Sequence, residues 1–159
     1  MGSSLLYRAA ALSLALCLPT FATAYLTPEP CSGNCAGSVH DPAVMRADDG
    51  TYFRFTIVGR INIVTALSLS GPWTYQGPAL PDGSIVDLPG YDDLWAPDVI
   101  RIDDVYYLTY AIFTVGSLDS DIGVATSTDM RYWQDHGSVG VPSGSWNKID
   151  PNLFQVSPN

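Results

Sequence analysis

Three short stretches of the chain carry carboxylates at matching places in a repeated pattern: His40-Asp41-Pro42-Ala43-Val44-Met45, Trp95-Ala96-Pro97-Asp98-Val99-Ile100 and Ile149-Asp150-Pro151-Asn152-Leu153-Phe154. Their prolines lie 55 and then 54 residues apart. Asp41 and Asp150 precede the proline, whereas Asp98 follows it. A repeat of about 50 residues rich in strand signals marks a β-propeller, in which the first strand of each blade lines a central channel. Equivalent positions then converge at one face around the axis although they are far apart in sequence. Carboxylates gathered in this way separate in proton affinity, and a site can thereby hold one as a base and another as an acid near neutral pH. An Asp-Pro step is also ordinary turn chemistry, because Asp favours turn openings and proline fixes φ. Recurrence of an acid in all three units, once displaced across the proline, favours a site, since a purely structural Asp has no need to move.

The elements that must position these acids follow from the alternation of turn and strand signals. Residues 25–38 read as an extended leader rich in Pro, Gly and Ser. Residues 39–47 and 51–56 flank Asp48-Asp49-Gly50, a hairpin signal, and are followed by strands at 62–69 and 73–76 separated by Ser70-Gly71-Pro72. That is one four-stranded blade. The second unit repeats the order, with strands at 99–102, 105–112, 122–127 and 132–134 and turns at Asp103-Asp104 and near Asp129. A spacing of 60 aligns Val64 with Val124, Trp73 with Trp133 and Gly77 with Gly137, and the recurring tryptophans read as core. The linking stretch 78–94 is long, and loops of that length are functional or mobile. Asp92 and Asp93 within it read as solvated. Residues 152–155 open a third unit. Two blades and one strand do not close a propeller, so residues 25–159 read as the N-terminal part of a larger domain.

Composition narrows the class. Arg8, an apolar run over residues 9–18, Pro19 and then Ala22-Thr23-Ala24 form a secretory signal peptide over residues 1–24, with an apolar run too short to span a bilayer. The expectation is a secreted, extracellular protein. From residue 25 onward six basic and 16 acidic side chains give a formal charge of −10, which argues against nucleic acid or an anionic membrane as partner. Glu29 is the single glutamate beside 15 aspartates, while Tyr, Trp, Val, Ile, Thr and Gly are plentiful, so an all-β chain is expected. Cys31 and Cys35, the cysteines beyond residue 24, favour a short local disulfide that pins the segment ahead of Asp41. Zinc is the weaker alternative, because no second ligand pair follows.

The three motifs, read as His40-Asp41-Pro42, Leu94-Trp95-Ala96-Pro97-Asp98-Val99 and Ile149-Asp150-Pro151-Asn152, resemble the signatures of glycoside hydrolase family 43. Cys31-Ser32-Gly33-Asn34-Cys35, Leu69-Ser70-Gly71-Pro72-Trp73-Thr74-Tyr75 and Ile122-Gly123-Val124-Ala125-Thr126-Ser127 extend the likeness to the fungal endo-1,5-α-L-arabinanases of that family. The resemblance implies a five-bladed β-propeller, of which about two blades and the first strand of a third are present. It implies an inverting hydrolase acting on internal α-1,5 links of plant cell-wall arabinan, with Asp41 as general base and Asp150 orienting the general acid and raising its pKa. The family's general acid is a glutamate about a blade beyond Asp150 and so past Asn159; Glu29 lies on the wrong side of Asp41.

Trp95, Asp98, His40 and Phe113 are the candidates for substrate contact. Trp95 is read as a sugar platform or as blade packing, and His40 as a substrate contact or a hydrogen-bond partner. Val115 stands before Gly116-Ser117 where many relatives have an aromatic. No cofactor is required and no metal-ligand spacing is present, although full-length relatives imply a calcium on the propeller axis. A monomer is expected. Competing readings are an exo-acting β-xylosidase or α-L-arabinofuranosidase of the same family, and a non-catalytic carbohydrate-binding pseudoenzyme.

Overall fold

The structure, a computed structural model, describes residues 30–33, 39–142 and 144–156. The signal-peptide assignment and Cys35 lie outside the described residues; Cys31 is disulfide-bonded. Eight strands follow in order: β1 (Ala43–Arg46), β2 (Tyr52–Thr56), β3 (Asn62–Ala66), β4 (Thr74–Pro78), β5 (Leu94–Ile102), β6 (Val105–Phe113), β7 (Ser120–Ser127) and β8 (Gln134–Ser138). They form two four-stranded antiparallel meanders, β1-β2-β3-β4 and β5-β6-β7-β8. The all-β, two-blade expectation holds.

Period-two patterning decides which faces meet. In β2, Phe53 and Phe55 point into the space between the sheets; in β6, Tyr106, Leu108, Tyr110 and Ile112 do so from the other side. Ile61 and Ile63 of the first unit and Leu94, Val99, Ala125 and Met130 of the second complete one shared core. Burial of each large apolar side chain contributes about 1.5–3 kcal/mol, so the blades are held by their mutual face rather than by either sheet alone. Trp133 meets Phe55 edge-on at 5.6 Å and 86°. Its counterpart Trp73 sits on the opposite face of the first blade with Val64 and Ala66, beneath the Arg54 guanidinium at 4.8 Å. Both recurring tryptophans are blade packing.

The repeated glycines have a backbone cause. In β4, Gln76 is an extra residue between the pairs Ile63↔Gly77 and Val64↔Tyr75; in β8, His136 is extra between Val124↔Gly137 and Ala125↔Asp135. These are bulges at the same place in the two blades. Gly77 and Gly137 follow with φ of 114° and 76°, a region that glycine enters without a side-chain clash.

Several expectations change: β1, β3 and β5 run at 43–46, 62–66 and 94–102 rather than 39–47, 62–69 and 99–102. The fourth strand of the second blade runs at 134–138 rather than 132–134, because Asp129 Oδ1 accepts from the amides of Arg131 and Tyr132 and holds that stretch in a turn. The stretch 78–94 is tied down: Ala79 and Leu94 donate to the carbonyls of Ile61 and Gly59 at 2.8 and 3.1 Å, Ser84 donates to that of Tyr91 at 2.7 Å, and Ala79 and Leu80 are buried in the shared core. Residues 152–155 form no ladder, since a strand needs a neighbour and none pairs with them among the described residues.

Candidate functional site

The three motifs end up side by side. Asp41, Pro42, Ala96, Pro97, Asp98, Asp150, Pro151 and Asn152 line one open cleft of about 220 Å³. Position in the repeat brings them there: the first motif leads into β1, the second is continued by β5, and the third passes beside the second.

Each motif shares a backbone feature that sequence reading did not reach. The residue before the proline has a left-handed backbone in all three, with φ of 44° at Asp41, 43° at Ala96 and 53° at Asp150. Asp tolerates this region better than most residues, whereas Ala has no side-chain polar group to support it. Ala96 is held by its surroundings. β5 runs through the motif, with Trp95 opposite Ala111 and Asp98 opposite Thr109, so Ala96 and Pro97 together face Tyr110 as a bulge. Proline is tolerated in a strand at such a position. The extra residue resets the alternation: Leu94 and Val99 point into the shared core, while Trp95 and Asp98 share the other face.

The three acids then differ in their partners. Asp41 and Asp150 are exposed, and among the described residues neither carboxylate has a hydrogen bond or ion pair. Asp98 is half-buried, and its Oδ2 accepts from Asn152 Nδ2 at 3.1 Å and from the Leu153 amide at 2.8 Å. Asp98, read from sequence as a substrate contact, is thus engaged in joining the second motif to the third. Asn152 was not singled out, although its place after Pro151 matches that of Asp98 after Pro97 and was the available signal.

The segment leading to Asp150 is anchored from its other side. The Lys148 amide donates to Ser120 Oγ at 2.7 Å, and Lys148 Nζ pairs with Asp121 at 3.2 Å, both side chains largely buried. Burial by itself would raise the Asp121 carboxyl; bonds from Ser138 Oγ, the Ile122 amide and Lys148 outweigh it and hold the group below its ordinary value. Sequence reading missed this pair, because nothing local links residues 27 apart.

Trp95, Phe113 and His40 are not in the lining of the cleft. Trp95 and Phe113 stack on each other with centroids 5.1 Å apart and planes tilted by 39°, and Trp95 Nε1 is buried without a partner among the described residues. One face of the indole is therefore taken by Phe113. His40 is exposed beside Asp41. Among the described residues no group of three or more His, Cys, Asp or Glu side chains is placed to hold a metal ion. The calcium that the resemblance implies is one of full-length relatives, near a histidine of a later blade.

Comparison with known proteins gives the family. Residues 35–157 match the model of the glycosyl hydrolases family 43. The chain is 49% identical over 155 residues to a probable arabinan endo-1,5-alpha-L-arabinosidase A of Aspergillus niger, covering 94% of this chain and 48% of the relative. It is 53% identical over 136 residues to an arabinan endo-1,5-alpha-L-arabinosidase A of the same organism, covering 82% and 42%. The chain thus spans about half the length of the curated relatives it matches. Among solved structures, an exo-1,5-alpha-L-arabinanase from a bovine ruminal metagenomic library superposes with a TM-score of 0.63 at 30% identity over 73% of this chain and 42% of that one. A Cellvibrio cellulosa alpha-L-arabinanase complexed with arabinohexaose gives 0.59 at 26% identity over 72% and 40%.

Proposed function

The chain belongs to glycosyl hydrolase family 43, and on that premise we propose that it is the acid-bearing N-terminal part of a secreted endo-acting arabinanase that cuts internal α-1,5 links of arabinan with inversion. The observation that carries this reading is the single cleft into which Asp41, Asp98 and Asp150 converge.

Asp41 and Asp150 are both exposed carboxylates without a partner among the described residues, each able to take a proton from water, and the family resemblance assigns that role to Asp41: as the water oxygen attacks the anomeric carbon, its proton passes to Asp41. The glycosidic C–O bond breaks on the opposite face, and the departing oxygen takes a proton from a carboxylic acid far enough away to leave room for the water. That acid is assigned to a glutamate of a further blade, and Asp150 to its orientation and to keeping it protonated, since a nearby negative charge raises a carboxyl pKa. The scheme needs no cofactor. Secretion and a monomeric state belong to the same proposal.

The curated relatives are named as endo enzymes, while one structural neighbour is named as an exo enzyme, so the size of the product is the test. The chain extended by the C-terminal blades of its Aspergillus niger relative is expected to release short oligosaccharides of several lengths from linear 1,5-arabinan. Monosaccharide or one fixed product length from the first minutes would favour exo action. No hydrolysis in a folded, extended protein would favour a binding module.

A further inference from the structure

We propose that Asp98 is a positioning residue for Asp150, acting through Asn152 and Leu153, rather than a group that touches substrate; this rests on the hydrolase reading above. Three observations meet here. The Ala96-Pro97 bulge turns Asp98 away from the shared core and onto the Trp95 face, where the third motif passes. Asp98 Oδ2 then holds two successive residues of that motif, through Asn152 Nδ2 at 3.1 Å and the Leu153 amide at 2.8 Å. A carboxylate accepting two such bonds is a stronger and more directional anchor than a neutral acceptor.

Asp150 needs such an anchor. Its left-handed backbone, φ 53°, stands directly before a proline, and a residue in that region persists only when its surroundings fix it from both sides. Lys148, bound to Ser120 and Asp121, fixes the chain two residues earlier; Asp98 fixes it two and three residues later. Asp150 itself has no bond among the described residues, so its carboxylate is placed by its backbone, which these two anchors hold on either side. The first unit has Ala43 where Asp98 and Asn152 stand in the other two, so this polar pair joins the second and third units alone.

The experiment uses the chain extended by the C-terminal blades of the Aspergillus niger relative, with linear 1,5-arabinan as substrate. Asp98→Ala removes the acceptor of both bonds and is expected to lower kcat about 100-fold, the scale of a misplacement of about 1 Å, while KM stays within about threefold. Asp98→Asn, whose amide oxygen still accepts from Asn152 Nδ2 and the Leu153 amide, is expected to recover at least about tenfold of that loss. Asn152→Ala, which removes one bond and leaves Asp98 intact, is expected to cost about tenfold in kcat and serves if Asp98→Ala does not fold. A loss confined to KM would overturn the proposal in favour of direct substrate contact. An unchanged kcat in Asp98→Ala, or no recovery in Asp98→Asn, would also overturn it. Asp41→Asn in the same protein separates the two levels: if it keeps full turnover the hydrolase assignment falls, and if it is inactive while Asp98→Ala is not, only the positioning role falls.

Discussion

The two blades use one motif to different ends. In the first, the innermost strand is four residues long and begins after Asp41-Pro42, leaving Asp41 outside the ladder with an exposed carboxylate. In the second, the innermost strand is nine residues long and runs through Trp95-Ala96-Pro97-Asp98, because β6 is long enough to pair with it on both sides of the bulge. The acid has moved from one side of the proline to the other, and with that move it has gone from a carboxylate without a partner among the described residues to one that accepts two hydrogen bonds. The acids before the proline, Asp41 and Asp150, are exposed, and the acid after it, Asp98, is half-buried and bonded.

The largest effect expected from breaking this contrast is at Asp41. In the extended chain Asp41→Asn keeps the shape of the side chain but cannot take a proton, so turnover on linear 1,5-arabinan is expected to fall about 10²-fold to 10⁴-fold or more with binding of arabino-oligosaccharides little changed. Initial rates and calorimetric titration check the two halves of that statement.

A second contrast lies between a pair of the first blade, Phe55↔Ile63, and a pair of the second, Tyr110↔Gly123. Tyr110 lies across Gly123, where any Cβ would overlap the ring, and this brings its hydroxyl to Asp135 Oδ1 at 2.5 Å and Ser84 Oγ at 2.9 Å. Burial, and then the bond to Asp135, push the phenol well above its ordinary value, so it stays a donor. Asp135 also accepts from the Ile85 amide at 2.7 Å, which ties the stretch 79–93 to the second blade. Gly123→Ala is expected to cost about 1–3 kcal/mol as an overpacked site, read as a lower urea midpoint, together with earlier proteolytic cleavage in that stretch. A neutral result would mean that the ring moves aside freely.

A smaller effect probes the anchor ahead of Asp150, where Lys148 pairs with Asp121. The Asp121 carboxyl is held below 3.8, so its contribution to stability is present above the ordinary value and lost as pH falls through the lowered one. Urea midpoints of wild type and Asp121→Asn are expected to differ near neutral pH and to converge below about pH 4, since only the wild type loses a charge there. A difference that persists unchanged at low pH would show that the ion pair with Lys148 is not its source.

What the sequence made legible was whatever repeats. The paired blades, the core tryptophans and the three acid positions all announce themselves through spacings of 54, 55 and 60 residues. Features that depend on one residue meeting another across the fold were not legible. The Asp98–Asn152 bond, the Lys148–Asp121 pair and the Tyr110–Asp135 anchor each join side chains 25 or more residues apart with no periodic signature. The early start of β5 was hidden for a different reason: Pro97 reads as a strand boundary, and only the bulge lets the ladder continue past it.

The most direct test of the central claim is the anomeric configuration of the first product, followed by proton NMR during the opening minutes of hydrolysis by the extended chain. Water activated by Asp41 on the face opposite the departing oxygen is expected to give the β-anomer from the α-linked substrate before mutarotation equilibrates it. First-formed α-anomer would mean retention through a covalent intermediate and would contradict the role given to Asp41.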